Sequence, residues 1–332
     1  MTTLAAPPRT AAASLADFCQ HLRWHELPAE VQDRTRELLL DLLGVALAGS
    51  RQPSSPPAAQ AALQLGGSGG ASVIGSGRQT SAVFAALANG TAAHAVELDD
   101  VTTESSLHPG VAVIPAALAL AEELEAAPKT LFEAIVVGYE VTMRVGNALN
   151  PASAYARGFH PTGVAGVFGA TMAAGRLLGL DAEALTRALG IAGTMASGSL
   201  EYLADGAWTK RLNAGWAGHA GITAARLAQA GFTGPATVFE GRLGVLHAYT
   251  DEPLADRLLA DLGEPLQVLR VSIKPYACCR YNHGLIDGVL ELTRTQAFAA
   301  EDVDRVRLGV LSGGALLVAD PIEQKRTPQS VV

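Results

Sequence analysis

Two stretches of helical length, Ser81–His94 and Gly158–Gly175, carry no charged side chain at all. A helix that is apolar all round cannot sit on a surface, so each of these has to lie inside a stack of other helices. Val111–Leu124, Leu131–Leu149, Ala182–Ser197 and Ala214–Ala230 are also apolar over helical length. Small residues dominate one side of several of them, which lets backbones approach closely. Only 17% of the 332 residues are charged, against the usual quarter, so much of the chain must be buried in helix interfaces or in an oligomer. Nothing before about Gly263 alternates regularly, and that portion is expected to be helical.

The N-terminal part fits the same scheme. Ser14 can cap a helix to Leu22, and a second helix runs from Pro28 to Leu47 with Gly49 placed to stop it. A third helix, Ala58–Leu65, ends in a glycine-rich segment, and Ala71–Gly75 suits a brief strand. Gly66–Gly77 lacks GxxxxGK and reads as a turn rather than a phosphate loop. The character changes near residue 264. Leu266–Ile273 and Val303–Leu311 alternate around a helical stretch, Asn282–Thr295. The expected fold is therefore mainly α: a large all-helical domain, 1–263, followed by a smaller α+β domain, 264–332.

Several function classes fall away. Net charge is −8 with no lysine- or arginine-rich run, which argues against nucleic acid. Cys19, Cys278 and Cys279 are too few and too badly spaced for a disulfide framework or a CxxC metal site. The first residues lack a basic start followed by an apolar core. The uncharged run from Gly158 is broken by Pro161 and several glycines, so no membrane span is expected. A cytoplasmic protein is the expectation. No GxSxG elbow, HExxH or Rossmann fingerprint is present.

Four clusters could carry chemistry. Glu97-Leu98-Asp99-Asp100 places three carboxylates within four residues, and His108 follows eight residues on. Acids beside an apolar core are paired or working, which points to proton transfer or a cation site. If a helix ran through them, Glu97 and Asp100 would share a face. The alternative is a set of acids ending a helix in water. His160 precedes an uncharged helix whose N-terminus would attract an anion, or is a satisfied structural histidine. Lys210-Arg211 forms the third cluster, and Lys274, Arg280 and His283 the fourth. Two cationic clusters flanking an acid–histidine group suggest a cleft for a di- or tricarboxylate. The acids and His108 could hold Mg²⁺ or Fe²⁺ in principle, but their spacing matches no metal site of known mechanism, and none is expected.

Taken together, Leu39–Gly49, Ala88–His94, Glu97 to His108-Pro109-Gly110, Gly158–Gly163, Thr209–Gly215 and Lys274–Arg280 resemble, in order, the MmgE/PrpD family of 2-methylcitrate dehydratase-like proteins. The resemblance implies a helical domain with an α+β lid, a homodimer, and a cofactor-independent site in the cleft between the domains. Relatives include 2-methylcitrate dehydratases, cis-aconitate decarboxylases and iminodisuccinate epimerases, which share proton transfer next to a carboxylate. The family's site positions fall on Glu97, Asp99, Asp100, His108, His160, Lys210 and Lys274. Many relatives carry Asp at Glu97 and Thr or His where this chain has Val101-Thr102-Thr103. The family continues beyond a segment like Thr327–Ser330, so the lid is expected to be truncated here. The leading expectation is a hydro-lyase that takes water from a β-hydroxy di- or tricarboxylate. Lys210, Lys274, Arg280 and His283 would bind carboxylates, His160 or an acid would be the base, and His108 the acid. An epimerase or decarboxylase using the same site is the alternative within enzymes, and a non-catalytic carboxylate-binding protein or inactive fragment the alternative outside them.

Overall fold

The uncharged segments find one another. In the computed structural model, which describes residues 9–319, α4 (Ala82–Ala93), α5 (Gly110–Glu123), α6 (Pro128–Ala148), α8 (Pro161–Leu177) and α10 (Thr209–Gln229) pack as a central helical layer. From Pro161 to Gly175 every residue of α8 is buried, and α5 is buried over most of its length. α1 (Ala11–His21), α2 (Ala29–Gly49), α3 (Ser55–Leu65) and α9 (Ala182–Ala192) pack outside them. Thr10 caps α1 and Asp181 caps α9 through their side chains, each satisfying a backbone N–H that the helix leaves open.

Small residues set the crossing of α4 and α10. A Cβ on Gly215 of α10 would lie 2.2 Å from the Leu87 carbonyl oxygen of α4, and one on Gly90 would lie 2.8 Å from the Gly215 Cα. Only hydrogen fits there, and this contact brings the C-terminal end of α4 beside the N-terminal end of α10. Among the described residues the only sheet is a hairpin of β1 (Ala71–Val73) and β2 (Arg78–Thr80), antiparallel with Ala71 opposite Thr80. It contains the strand expected near residue 71. α7 (Pro151–Ala156) and α11 (Val245–Ala248) are short connectors. No helix among the described residues is long and apolar enough to cross a membrane.

The region after 264 differs from the β-α-β expectation. Its helix is present as α12 (His283–Thr295), but residues 267–270 form a 3₁₀ turn and 303–311 adopt no regular structure. Residues 266–273 lie on α2 and α6, with Gln267 and Val268 turned inward and the Gln267 N–H donating to Glu140 Oε2 at 2.8 Å. One strand-like contact remains: Val101 and Ser272 exchange two backbone hydrogen bonds, at 2.9 and 2.8 Å. Residues 303–309 are exposed, and a strand has no ladder without a neighbour. α13 (Ser312–Val318) follows. The Thr327–Ser330 segment lies outside the described residues.

Candidate active site

α4 ends at Ala93, so the acidic cluster is not helical, and Glu97 and Asp100 share no helix face. Glu97 instead adopts φ 55°, a left-handed conformation unusual for a side-chain-bearing residue and one that clusters at functional sites. Beyond it, Thr102 pairs with Leu107 through a 3.0 Å backbone hydrogen bond, and this tight loop returns His108 to the acids. The Val101–Ser272 bridge fixes the segment that carries Lys274 against the same stretch. The glycine crossing of α4 and α10 delivers Lys210, in the first turn of α10. A cation there opposes the helix dipole, so local helix stability does not explain it.

These elements build a buried charge network. Lys210 Nζ donates to Glu97 Oε1 at 2.6 Å, while Lys274 Nζ donates to the Glu97 carbonyl at 2.9 Å and stands 3.8 Å from Oε2. Burial alone would raise the Glu97 pKa, but the two ammonium groups outweigh it and hold the carboxyl down at about 2. Burial opposes the charge of Lys274 as well, and Asp99 and Glu97 reverse that and raise its pKa.

Asp99 is fully buried, and its Oδ2 accepts from His94 Nδ1 at 3.0 Å and His108 Nδ1 at 2.9 Å. Burial pushes its pKa up, yet the imidazoles and Lys274 bring it well below the usual range. His108 Nδ1 also lies 2.8 Å from the Asp100 carbonyl, which can only accept, so Nδ1 carries a proton and Nε2 is the nitrogen left for a ligand. Burial lowers the His108 pKa, with Asp99 pulling the other way. His160 caps α8 without a side-chain bond to it, and Asn213 Nδ2 approaches its Nδ1 at 3.4 Å. Burial, then the neighbouring His94 and Lys210, keep its pKa well below normal.

His108, His160, Lys210 and Arg280 line one cavity of about 40 Å³, together with Tyr155, Tyr202 and Leu203. Cys279, Arg280, Tyr281 and Leu317 cover it, and α13 packs so tightly that a Cβ on Gly314 would lie 2.7 Å from the Tyr281 ring. Six expected site residues thus meet in one place: Glu97, Asp99, His108, His160, Lys210 and Lys274. Lys274 stands behind Glu97 rather than on the cavity wall. The Asp100 carboxylate turns away, accepting from Tyr139 Oη at 2.6 Å and the Gly110 N–H at 3.0 Å. Arg280 is exposed at the rim. His283 stays apart, its Nε2 3.3 Å from the Cys278 carbonyl and its ring edge-on to Tyr276. Arg211 points to Ser54 Oγ at 2.9 Å, away from the cavity.

The sequence reading assigned no role to His94, Tyr155, Tyr202 or Asn213. A signal existed for His94 alone: a histidine closing an uncharged helix five residues before a buried acid. Among the described residues, His94, Asp99 and His108 are the one trio whose ligand-type atoms lie within 4.8 Å of one another. Both Nδ1 atoms stand at hydrogen-bond distance from the carboxylate, and the adjacent Lys274 ammonium opposes a divalent cation, so the trio reads as a hydrogen-bonded group. What the arrangement can do is hold anions at Lys210 and Arg280 while His108 Nε2 gives or takes a proton.

A family model described as the MmgE/PrpD N-terminal domain matches residues 13–257. A cis-aconitate decarboxylase of Aspergillus terreus is 32% identical over 296 residues, covering 85% of this chain and 60% of that protein. A cis-aconitate decarboxylase-like protein of Aspergillus oryzae, oryM, is 32% identical over 317 residues, 91% of this chain and 66% of its own. The cis-aconitate decarboxylase of Homo sapiens is 32% identical over 236 residues, 70% and 48% respectively. The chain thus spans about 60% of the length of the first of these relatives.

Proposed function

Because the chain belongs to the MmgE/PrpD family, we propose that it is a lyase acting on a tricarboxylate by proton transfer at a carbon next to a carboxylate, and that decarboxylation of a cis-aconitate-like substrate is its reaction. The observation that carries the chemistry is the cavity itself: two imidazoles and two cationic side chains line it, with Lys210 held by Glu97 and His108 by Asp99. The names of the relatives favour loss of CO₂ over the loss of water expected from sequence. Both reactions use the same groups.

Lys210 and Arg280 hold substrate carboxylates at the cavity. The bond to one carboxylate breaks, CO₂ leaves, and the electron pair passes into the adjacent double bond and onto a remaining carboxylate. Fixed cations at that position stabilise the developing charge in a water-poor site, an effect worth roughly 10²–10³-fold per group. His108 delivers the proton from Nε2 to carbon, and Asp99 stabilises the imidazolium form. In dehydration the same His108 proton would go to the departing hydroxide, and His160 or an acid would take a proton from carbon.

The cavity of about 40 Å³ is far below the ~300 Å³ at which ligand pockets begin, so the cover formed by residues 279–281 and α13 moves aside to admit substrate. In this reading residues 279–319 serve as the lid. The homodimer that the family resemblance implies has an apolar stripe available to it on α10, where Trp208, Leu212 and Trp216 are each about 40% exposed at a spacing of four. The proposal is tested by proton NMR and CO₂ release with cis-aconitate, citrate and 2-methylcitrate as substrates. CO₂ with a new vinyl product supports decarboxylation, a new vinyl signal without CO₂ indicates dehydration, and silence across the panel contradicts the proposal.

A further inference from the structure

We propose that His94 is a positioning residue that holds Asp99, and through it the proton-donating ring of His108, in the working arrangement. The inference rests on the functional reading above for what His108 does, but its structural part stands by itself. His94 closes α4 as its C-cap and is wholly buried. Its ring does not line the cavity, so it has no route to substrate. Its Nδ1 and that of His108 meet the same carboxylate oxygen, Asp99 Oδ2, at 3.0 and 2.9 Å, with ring centroids 4.9 Å apart. The other oxygen, Asp99 Oδ1, is buried with no hydrogen-bond partner among the described residues. Two N–H donors on one oxygen therefore set the rotation of the carboxylate. Without His94 a single donor remains, and that donor is the ring being positioned. His94 also stacks on His160, with centroids 6.0 Å apart and planes 17° apart, so the same ring contacts both cavity histidines. Partners that orient metal-bound histidines in the same way are worth about 10–100-fold in activity, and the same scale is taken for this metal-free pair.

Asparagine and leucine share one branched side-chain shape, Asn smaller and Leu close to His in volume, and Asn places an N–H close to where His94 Nδ1 sits. Of His94→Asn and His94→Leu, only the first keeps the donor, although it leaves the larger void. With cis-aconitate as substrate, His94→Leu is expected to lose about 10–100-fold in kcat with KM within roughly threefold of wild type. His94→Asn is expected to recover most of that loss, although both variants melt lower than wild type. The second readout needs no turnover: the downfield Nδ1–H proton of His108 should exchange with solvent roughly tenfold faster in His94→Leu and remain protected in His94→Asn. Equal losses of kcat in the two variants, or losses that follow their melting temperatures, overturn the inference, as does unchanged protection in His94→Leu. If wild type turns over no carboxylate, the functional reading fails, and the exchange experiment still decides the role of His94.

Discussion

Two adjacent aspartates show how much the direction of a carboxylate decides its surroundings. Asp99 faces two imidazoles and Lys274 and stays ionised, whereas burial, followed by the nearby Asp99 charge, raises the pKa of Asp100 to about 7 despite the donors at Tyr139 and Gly110. A carboxyl whose folded pKa exceeds its unfolded value binds its proton more readily when folded. Its contribution to stability is present at low pH and is lost as pH rises from about 4 to about 7. Asp100→Asn lacks that slope, so its melting temperature relative to wild type should improve between pH 5 and pH 8, with most activity kept. Asp99→Asn should keep its fold and lose at least 10²-fold in kcat, because the donor ring loses its counter-charge. In the proposed reaction His108 donates as the imidazolium, and burial lowers its pKa below 6.5, so kcat should fall as pH rises through that lowered value. A kcat that rises over this range would make His108 a base instead. The acids, His108, His160 and the lysines were legible because charges are rare in this chain. Which acid works was not, since that depends on the direction each carboxylate takes after α4 ends.

At the scale of elements, the α4–α10 crossing makes the site. Gly215→Ala would force the two helices apart, and such overpacking costs about 1–3 kcal/mol. Because the crossing sets Lys210 against Glu97, activity should fall more than stability alone explains. Gly44, inside α2 with nothing within 4 Å of an added Cβ, is the control: Gly44→Ala should stabilise by about 0.5–1 kcal/mol. Urea melts of both variants with matched kcat values check this pair. The central helices were readable because an uncharged run of helical length has one solution, burial on all sides. The strands expected after 264 failed for the complementary reason. The residue types alternate over 266–273 but burial does not: Leu266, Gln267 and Val268 are buried in succession at the 3₁₀ turn, held to α6 by the bond from Gln267 to Glu140, and Ile273 is exposed.

Over the whole molecule, Glu97, Asp99, Lys210 and Lys274 form one cluster of buried charge, and the Glu140–Arg144 pair on α6, 2.6 Å apart, forms another away from the cavity. Removing one partner of such a pair leaves the other charged and unpaired, so Glu97→Ala should destabilise by about 3–5 kcal/mol, measurable by denaturant titration. The α10 stripe gives a separate expectation. Leu212→Glu, at a position 41% exposed, should shift the mass seen by light scattering from dimer to monomer. The most direct test of the central claim is single-turnover chemistry with His108→Ala and cis-aconitate in D₂O. The variant should still bind the tricarboxylate with affinity near that of wild type, while wild type alone places one deuterium on the former alkene carbon next to a remaining carboxylate, the carbon that lost CO₂ becoming the new vinyl carbon. A His108→Ala protein that forms deuterated product at the wild-type rate would contradict it.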